Sequence, residues 1–250
     1  MEIRFDGKTA LVTGAGKGIG KVVTLKLADA GANVIAVSRT QSDLDALKKA
    51  KPGKIQTLCL DVGKWEATKE ALKGIGPVDL LVNNAGIMDV KEFGELTEAE
   101  VDRTLNINVK SIINITQLIA NQMKSRGKGG SIVNLSSVLG LYAVPAYGVY
   151  CASKGAVHQL TRTMAAEYGP HNIRVNSVNP TVVRTAMAEK EGFFESGNEY
   201  AKAMMSRTPL RRFAEPNDIV GPIFFLLSDY ASMVTGVALP IDGGLTVCYT

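Results

Sequence analysis

The sequence of 250 residues is poor in the side chains that bind metals, form disulfides or act in hydrolases. Its three cysteines, Cys59, Cys151 and Cys248, lie far apart and form no C-x-x-C pair, which argues against a disulfide framework and a zinc site. We therefore predict no metal and a reducing, cytoplasmic location. The two histidines, His158 and His171, have no acid or nucleophile pattern around them, and no G-x-S-x-G motif occurs, so a Ser-His-Asp hydrolase is disfavoured.

Long apolar runs and dense clusters of one charge are missing as well. The N-terminal stretch MEIRFDGKT has no apolar core, so we expect no secretory signal. The longest apolar run, residues 219–227, is too short to span a bilayer and contains Pro222. The formal net charge is only +4, and no aromatic residues alternate with the basic ones. The sequence predicts neither a membrane partner nor a nucleic-acid partner.

What the sequence does contain is an alternation of short apolar runs and longer helical patterns. The runs rich in β-branched residues cover residues 9–13, 33–38, 55–60, 78–83, 131–136 and 173–178, and a last one ends at Ile241. Most are continuously apolar, which is typical of strands buried on both faces of a parallel sheet. Segments such as 18–30 and 101–124 are long enough for helical crossovers. We predict one α/β domain over residues 1–250, a doubly wound parallel sheet of the Rossmann type with helices on both faces.

A late insertion interrupts this alternation. Residues 186–213, here called the lid segment, mix Met, Phe and Gly and follow the sixth predicted strand. Ligands of open α/β sheets bind beyond the carboxyl ends of the strands, so an insertion here is placed to close over a substrate. We predict a mobile lid, and a surface excursion or an oligomer contact is the alternative.

Four glycines lie within residues 14–20, directly after the first predicted strand. Their spacing, G-x-x-x-G-x-G, is not the usual G-x-G-x-x-G, since Ile19 stands where that pattern needs its last glycine. Gly14 and Gly18 allow the backbone to approach a pyrophosphate, which the N–H groups and the dipole at the helix start then bind. Gly20 allows the helix to pack close to the sheet. The pattern predicts a dinucleotide site, and a purely structural turn is the alternative.

The end of the second predicted strand distinguishes between the two nicotinamide cofactors. An NAD site usually has Asp or Glu there to bind the ribose 2′-OH, but this strand ends in AVSRT, without an acid. Arg39 offers a guanidinium to a 2′-phosphate, and Lys17 in the glycine loop offers a second positive charge. Ser38 and Thr40 add hydroxyl groups. We predict NADP(H) rather than NAD(H), and a plain surface role for Arg39 is the alternative.

Three further residues predict acid–base chemistry. Tyr150 and Lys154, in the motif YCASK, are four residues apart and share one face of a helix. A nearby ammonium favours the phenolate, so we expect Lys154 to bring the pKa of the tyrosine down towards neutrality. Ser137 follows the fifth predicted strand, where it can hydrogen-bond a substrate carbonyl.

At this point the sequence resembles the short-chain dehydrogenase/reductase family over almost its whole length. The motifs that carry the resemblance are TGAGKGIG, NNAG, NINVK, LSSVLG, YCASK, NPTVVRT and DGG. The resemblance implies that Tyr150 protonates a carbonyl oxygen and that Lys154 lowers its pKa and holds the nicotinamide ribose. It also implies that Ser137 orients the substrate and that Asn108 anchors a water of the proton relay.

The implied cofactor contacts are spread over the loops that follow the strands. Asn83, Ala85 and Gly86 are expected beside the adenosine, with Asp61 and Val62 near the adenine. Pro180, Val183 and Thr185 are expected at the nicotinamide amide. The other expected contacts are Gly14, Lys17, Gly18, Ile19, Gly20, Ser38, Arg39, Thr40, Tyr150 and Lys154.

A closer resemblance is to the dicarbonyl/L-xylulose reductase group. It rests on AVSRTQSDLDAL, GPVDLLVNNA, VYCASKGA and Thr181, a position at which the wider family usually has glycine. It implies a homotetramer and a reversible, NADPH-dependent reduction of L-xylulose, other ketoses or α-dicarbonyls such as diacetyl. Residues 138–148 and residues 189–200 of the lid segment depart from that group, and substrate choice should depend on them.

Two other functions stay open at this stage. One is the reduction of 3-oxoacyl thioesters or ketosteroids, since Arg207, Arg211 and Arg212 lie near the lid segment, where they could serve an acyl carrier. The other is an NADP-sensing or scaffold protein with this fold and no turnover. The complete set of predicted catalytic residues argues against the second.

Overall fold

A computed structural model describes residues 2–248, and a single parallel sheet forms its centre. The strands are β1 (Thr9–Thr13), β2 (Asn33–Ser38), β3 (Ile55–Cys59), β4 (Leu80–Asn83), β5 (Gly130–Leu135), β6 (Ile173–Pro180) and β7 (Ala238–Ile241). They pair in the order β3-β2-β1-β4-β5-β6-β7, and every pair is parallel. The prediction of a doubly wound Rossmann-type sheet is confirmed, and the predicted strands differ from the observed ones only by a few residues at their ends.

Helices cover both faces of the sheet. They are α1 (Gly18–Asp29), α2 (Gln41–Ala50), α3 (Trp65–Lys73), α4 (Glu98–Leu105), α5 (Ser111–Arg126), α6 (Gly148–Tyr168), α7 (Ala186–Lys190), α8 (Glu199–Arg207) and α9 (Pro216–Leu227). Successive strand residues point to opposite faces, so in β1 Ala10 and Val12 join the core under α1, α2 and α9, and Leu11 joins the core under α3, α5 and α6. Two apolar cores thus hold the sheet from either side, as continuously apolar strands require.

The crossover predicted over residues 101–124 is not one regular helix. α4 ends at Leu105, a π-helical stretch runs over Asn106–Lys110, and α5 continues from Ser111. A π-helical turn inserts an extra residue into the helical ladder and rotates the side chains that follow it. Asn108 lies in this stretch, fully buried.

The lid segment contains α7 and α8 and has a small apolar core of its own. Phe193, Ala201, Met204 and Phe213 pack there together with Leu245 from the C-terminal end. Within residues 2–248 no helix is long and apolar enough to cross a bilayer, and no group of three or more His, Cys, Asp and Glu side chains could hold a metal ion. That the lid segment moves stays a prediction.

Gly20 makes the packing of α1 against the sheet testable. A Cβ atom at Gly20 would lie 2.3 Å from the carbonyl oxygen of Gly14 and 2.4 Å from Nδ2 of Asn84, so the helix would have to move. We expect Gly20→Ala to lower the free energy of unfolding in urea by about 1–3 kcal/mol. Gly74→Ala is the matched control, because a Cβ there meets nothing within 4 Å, and we expect a change of at most about 0.5 kcal/mol. Equal losses in the two variants would contradict this account.

Candidate active site

A cavity of about 440 Å³ opens beyond the carboxyl ends of β1, β2, β4, β5 and β6. Most of the residues predicted to form the site line it. They are Gly14, Lys17, Gly18, Ile19, Ser38, Arg39, Thr40, Asp61, Val62, Ala85, Gly86, Ser137, Tyr150, Lys154, Pro180, Val183 and Thr185. Gly20, Asn83 and Asn108 do not line it, and each has a different place in the structure.

The glycine loop forms one wall of the cavity and is tied to the end of β4. Gly14 has a φ of 63°, and a Cβ atom there would lie 2.9 Å from the Cα of Ala85, so only glycine fits. Thr13 Oγ1 accepts hydrogen bonds from the backbone N–H groups of Asn84 and Ala85, both at 3.0 Å. The amide of Asn84 in turn donates to the carbonyl oxygens of Thr13 and Gly14. Asn84 therefore lines the cavity and fixes the loop, although sequence reasoning did not single it out.

The start of α1 faces this loop with free donors. Lys17, the residue before the helix, is extended, and its side chain does not cap the helix. The first N–H groups of α1 therefore donate no hydrogen bond to this side chain. Gly20 lies just behind the loop, where its missing side chain makes room for Gly14 and Asn84. A helix start with free N–H groups and a glycine cradle fits a pyrophosphate.

The structure adds an acid to the ribose end of the cavity. Asp43, in the first turn of α2, lines the cavity beside Ser38 and Arg39, and its Oδ2 lies 3.8 Å from Nζ of Lys17. A Cβ atom on Gly16 would lie 2.7 Å from Ser38 Oγ and 2.9 Å from Asp43 Cβ, so the loop lies directly against both. The strand end AVSRT has no acid, as noted above, but Asp43 arrives from the following helix. Lys17, Arg39 and Asp43 thus share this end, and Asp61 is a second carboxylate of the cavity lining.

Asn83 lies on the other face of β4 and does not reach the cavity. Its amide donates to Thr116 Oγ1 at 3.0 Å and to Asn134 Oδ1 at 2.9 Å. Asn134 donates in turn to Thr161 Oγ1 at 3.0 Å. Strand alternation thus points this side chain towards α5 and α6, and the expected contact of Asn83 with the adenosine stays a prediction. The buried polar chain instead ties these two helices to the middle of the sheet.

Asn108 is engaged with protein groups on both sides of its amide. Its Oδ1 accepts from the N–H of Ile87 at 2.9 Å, and its Nδ2 donates to the carbonyl of Ile87 and to Ser153 Oγ. A Cβ atom on Gly86 would lie 3.4 Å from Asn108 Oδ1 and 3.6 Å from Lys154 Nζ. Asn108 thus joins the loop after β4 to the catalytic helix α6, and its predicted part in a proton relay stays a prediction.

The tyrosine and the lysine meet as the helical spacing predicts. Nζ of Lys154 lies 5.5 Å from the ring centre of Tyr150 and donates to the carbonyl of Leu135 at 2.8 Å. The lysine side chain is buried, and burial lowers its pKa to about 8. Ser137 follows β5, and its Oγ accepts from the N–H of Leu139 at 3.1 Å.

The pKa of Tyr150 differs from the expectation. Burial raises it to about 12, and a hydrogen bond with Ser137 acts in the opposite direction with a smaller effect. The expected lowering by Lys154 is not found: desolvation of the phenolate is the largest effect, and the lowering comes from Ser137. At neutral pH Tyr150 is a protonated phenol beside a serine hydroxyl, which suits it to donate a proton.

A family model described as short chain dehydrogenase matches residues 8–195, which is most of the chain. The chain belongs to the short-chain dehydrogenase family. The L-xylulose reductase of Bos taurus is 49% identical to it over 244 residues, with 98% of each chain covered. Carbonyl reductase 2 (NADPH) of Sus scrofa is 47% identical over 244 residues, again with 98% of each chain covered. The resemblance inferred from the motifs is confirmed.

Solved structures of this family have the same fold. The crystal structure of a gluconate 5-dehydrogenase from Burkholderia cenocepacia in complex with NADP and tartrate matches with a TM-score of 0.91 and 29% identity, with 98% of each chain covered. This short-chain dehydrogenase is accordingly an oxidoreductase that acts on CH–OH groups.

The lowered pKa of Lys154 predicts a stability that depends on pH. Between about pH 8 and 10.5 the unfolded lysine is protonated and the folded one is not, so the free energy of unfolding rises with pH in this window. Near pH 7 both states are protonated and the folded state carries the cost of burying the charge. We expect the difference in unfolding free energy between wild type and Lys154→Met to shift by about 2–3 kcal/mol in favour of wild type from pH 7 to pH 10. Urea unfolding at both pH values measures it, and a difference that does not change with pH would refute the burial account.

Proposed function

We propose that this short-chain dehydrogenase is an NADPH-dependent carbonyl reductase. Its substrates would be small carbonyl compounds such as L-xylulose, other ketoses or α-dicarbonyls like diacetyl, and the reaction would be reversible. The observation that carries the proposal is the meeting of Ser137, Tyr150 and Lys154 in one cavity with the glycine loop. Its similarity to an L-xylulose reductase and to carbonyl reductase 2 supports the substrate class.

The cavity has the features that a dinucleotide needs. The start of α1 and the loop from Gly14 to Gly18 would hold the pyrophosphate, and Lys154 with Thr185 would hold the nicotinamide half. When bound, the cofactor supplies a hydride. The guanidinium of Arg39 at the end of β2 supports a 2′-phosphate, and a similar enzyme of known structure binds NADP.

The chain's own residues then handle the carbonyl oxygen. Ser137 and Tyr150 donate hydrogen bonds to it, which polarises the carbonyl and fixes its position. The proton moves from Oη of Tyr150 to the carbonyl oxygen as the carbon is reduced, and it leaves a phenolate beside Lys154. A raised pKa keeps the phenol protonated before this step, and the ammonium stabilises the phenolate afterwards.

The structure gives little support to an acyl-carrier partner at the lid segment. Arg212 forms hydrogen bonds with both carboxylate oxygens of Asp218, at 2.6 Å and 3.0 Å, so its guanidinium is already engaged. This ion pair bears only on a carrier contact at Arg212, and the reduction of 3-oxoacyl thioesters or ketosteroids stays the alternative function.

We also propose a homotetramer in the cytoplasm, with the lid segment moving over the substrate. Exposed apolar side chains at the end of α9 and after it, Phe225, Tyr230 and Met233, support an interface between subunits. The three unpaired cysteines suit a reducing compartment.

Removal of one hydroxyl group tests the acid. We expect Tyr150→Phe to lower kcat for NADPH-dependent reduction by about 10³-fold or more, because proton transfer of this kind contributes about 10²–10⁴-fold. The dissociation constant for NADPH, measured by fluorescence titration, should stay within a few-fold. Tyr168→Phe, on the same helix and outside the cavity, is the control and should keep its turnover. Activity of Tyr150→Phe near the parent level would exclude the assignment.

Charge substitutions at the ribose end test the cofactor. We expect Arg39→Gln to lower the ratio of kcat/KM for NADPH to that for NADH by about tenfold or more, because a charged hydrogen bond to the 2′-phosphate is lost. Asp43→Asn should raise the same ratio, because it removes the negative charge and releases Lys17. Arg162→Gln, a loss of positive charge outside the cavity, is the control. An unchanged ratio in Arg39→Gln would overturn the NADPH assignment.

A further inference from the structure

The two ends of the cavity differ sharply in chemistry. The charged lining residues Lys17, Arg39, Asp43 and Asp61 belong to the nucleotide end, and Lys154 is turned towards the carbonyl of Leu135. The other end, here called the lid end, lies between the loop after β5 and the lid segment. Its apolar lining residues are Leu139, Tyr147, Val182, Met187, Phe193 and Met204.

The apolar wall of the lid end is already built. Phe193 and Met204 are almost fully buried in the core of the lid segment, and Phe193 packs edge-to-face on Tyr200 with ring centres 6.0 Å apart. Asn198 fixes the loop that carries Phe193, because it accepts from the N–H of Ala201 at the start of α8 and donates to the carbonyl of Gly192. A wall held in this way presents a fixed apolar surface rather than one that adapts to each substrate.

Hydrogen-bonding groups at the lid end are few. Ser137 and Tyr150 are taken by the carbonyl oxygen in the proposed mechanism. Beyond them the lining offers the hydroxyls of Thr181, Tyr147 and Tyr200, and neither a charged nor an amide side chain. An open-chain ketose carries a hydroxyl on almost every carbon, and each hydroxyl that loses water without gaining a partner weakens binding by about tenfold. An alkyl chain has no such groups, and it gains from contact with apolar walls.

We infer that the preferred substrates are ketones without hydroxyl groups that carry an apolar arm, with the arm packed against Phe193 and Met204. This inference rests on the proposed carbonyl reductase function and selects among its substrates. The expected preference differs from the sugar in the names of the similar reductases, and it makes the lid segment responsible for the selection. Of the two regions that depart from the dicarbonyl/L-xylulose reductase group, residues 138–148 contribute Leu139 and Tyr147 to this wall, and residues 189–200 contribute Phe193.

A homologous series of substrates tests the inference. NADPH oxidation is followed with 2,3-butanedione, 2,3-pentanedione and 2,3-hexanedione, and with L-xylulose. We expect kcat/KM to rise by about fourfold for each added methylene, the equivalent of about 0.8 kcal/mol, and to be lowest for L-xylulose. A flat or falling series, or a preference for L-xylulose, overturns the inference while the carbonyl reductase function stands. No turnover of any of the four compounds refutes the proposed function itself.

A matched pair of lid variants locates the selection. Met204→Gln places an amide of similar size in the wall, and we expect it to lower the ratio of kcat/KM for 2,3-hexanedione to that for 2,3-butanedione by about tenfold. Met205→Gln is the control, because Met205 is the next residue of α8 and does not line the cavity. Thermal unfolding of both variants shows whether they are folded, and Phe193→Tyr gives a second test if Met204→Gln is not. An unchanged ratio in a folded Met204→Gln or Phe193→Tyr excludes the proposed wall.

Discussion

The hydrogen bonds between the ends of β1 and β4 are the constraint on which the site depends. The strand order reverses between these two strands. The segments that follow them turn away to opposite faces of the sheet, and a crevice opens between these segments. Thr13 Oγ1 and the amide of Asn84 hold the two strand ends together across this point. This tie sets the glycine loop against the loop after β4 and so brings Gly86 close to the ammonium of Lys154. The same hydrogen bonds thus position both the nucleotide end and the chemical end of the cavity.

Burial is the main cause of the two pKa shifts at the chemical end of the cavity. It acts in opposite directions on the two titratable groups, because it disfavours the charged form of each: the phenolate of Tyr150 and the ammonium of Lys154. At neutral pH Tyr150 therefore keeps its proton, and Lys154 is still protonated but loses its proton at a lower pH than an exposed lysine. At the nucleotide end, by contrast, the side chains of Lys17 and Arg39 are exposed, and those of Asp43 and Asp61 are half-buried.

Much of the architecture and of the site could be predicted from the sequence because the signals are local. Apolar runs mark the strands, and a spacing of four residues places Tyr150 over Lys154 whatever surrounds them. The features that the sequence did not reveal depend on contacts between residues far apart in the chain, or on the residue at which a strand ends. Asp43 reaches the cavity from the next helix. Because β4 ends at Asn83, the side chain of Asn83 lies in the core and that of Asn84 binds the glycine loop. The π-helical turn leaves no mark in hydrophobic spacing, and the pKa of Tyr150 reflects a burial that no motif encodes.

The buried amide chain under β4 and β5 has a consequence for how the chain folds. Asn83 and Asn134 are direct partners in the register of these strands, and their side chains bond to each other in the core. A slip of one residue in either strand would turn the amide of that strand to the opposite face and would separate the two amides, so both would lose their shared hydrogen bond in the core. Apolar contacts alone can form in a shifted register, whereas the hydrogen bond between these two amides forms only in the observed one. An asparagine expected to contact the cofactor thus favours a single register of the two central strands, and this register determines the shape of the groove beside them.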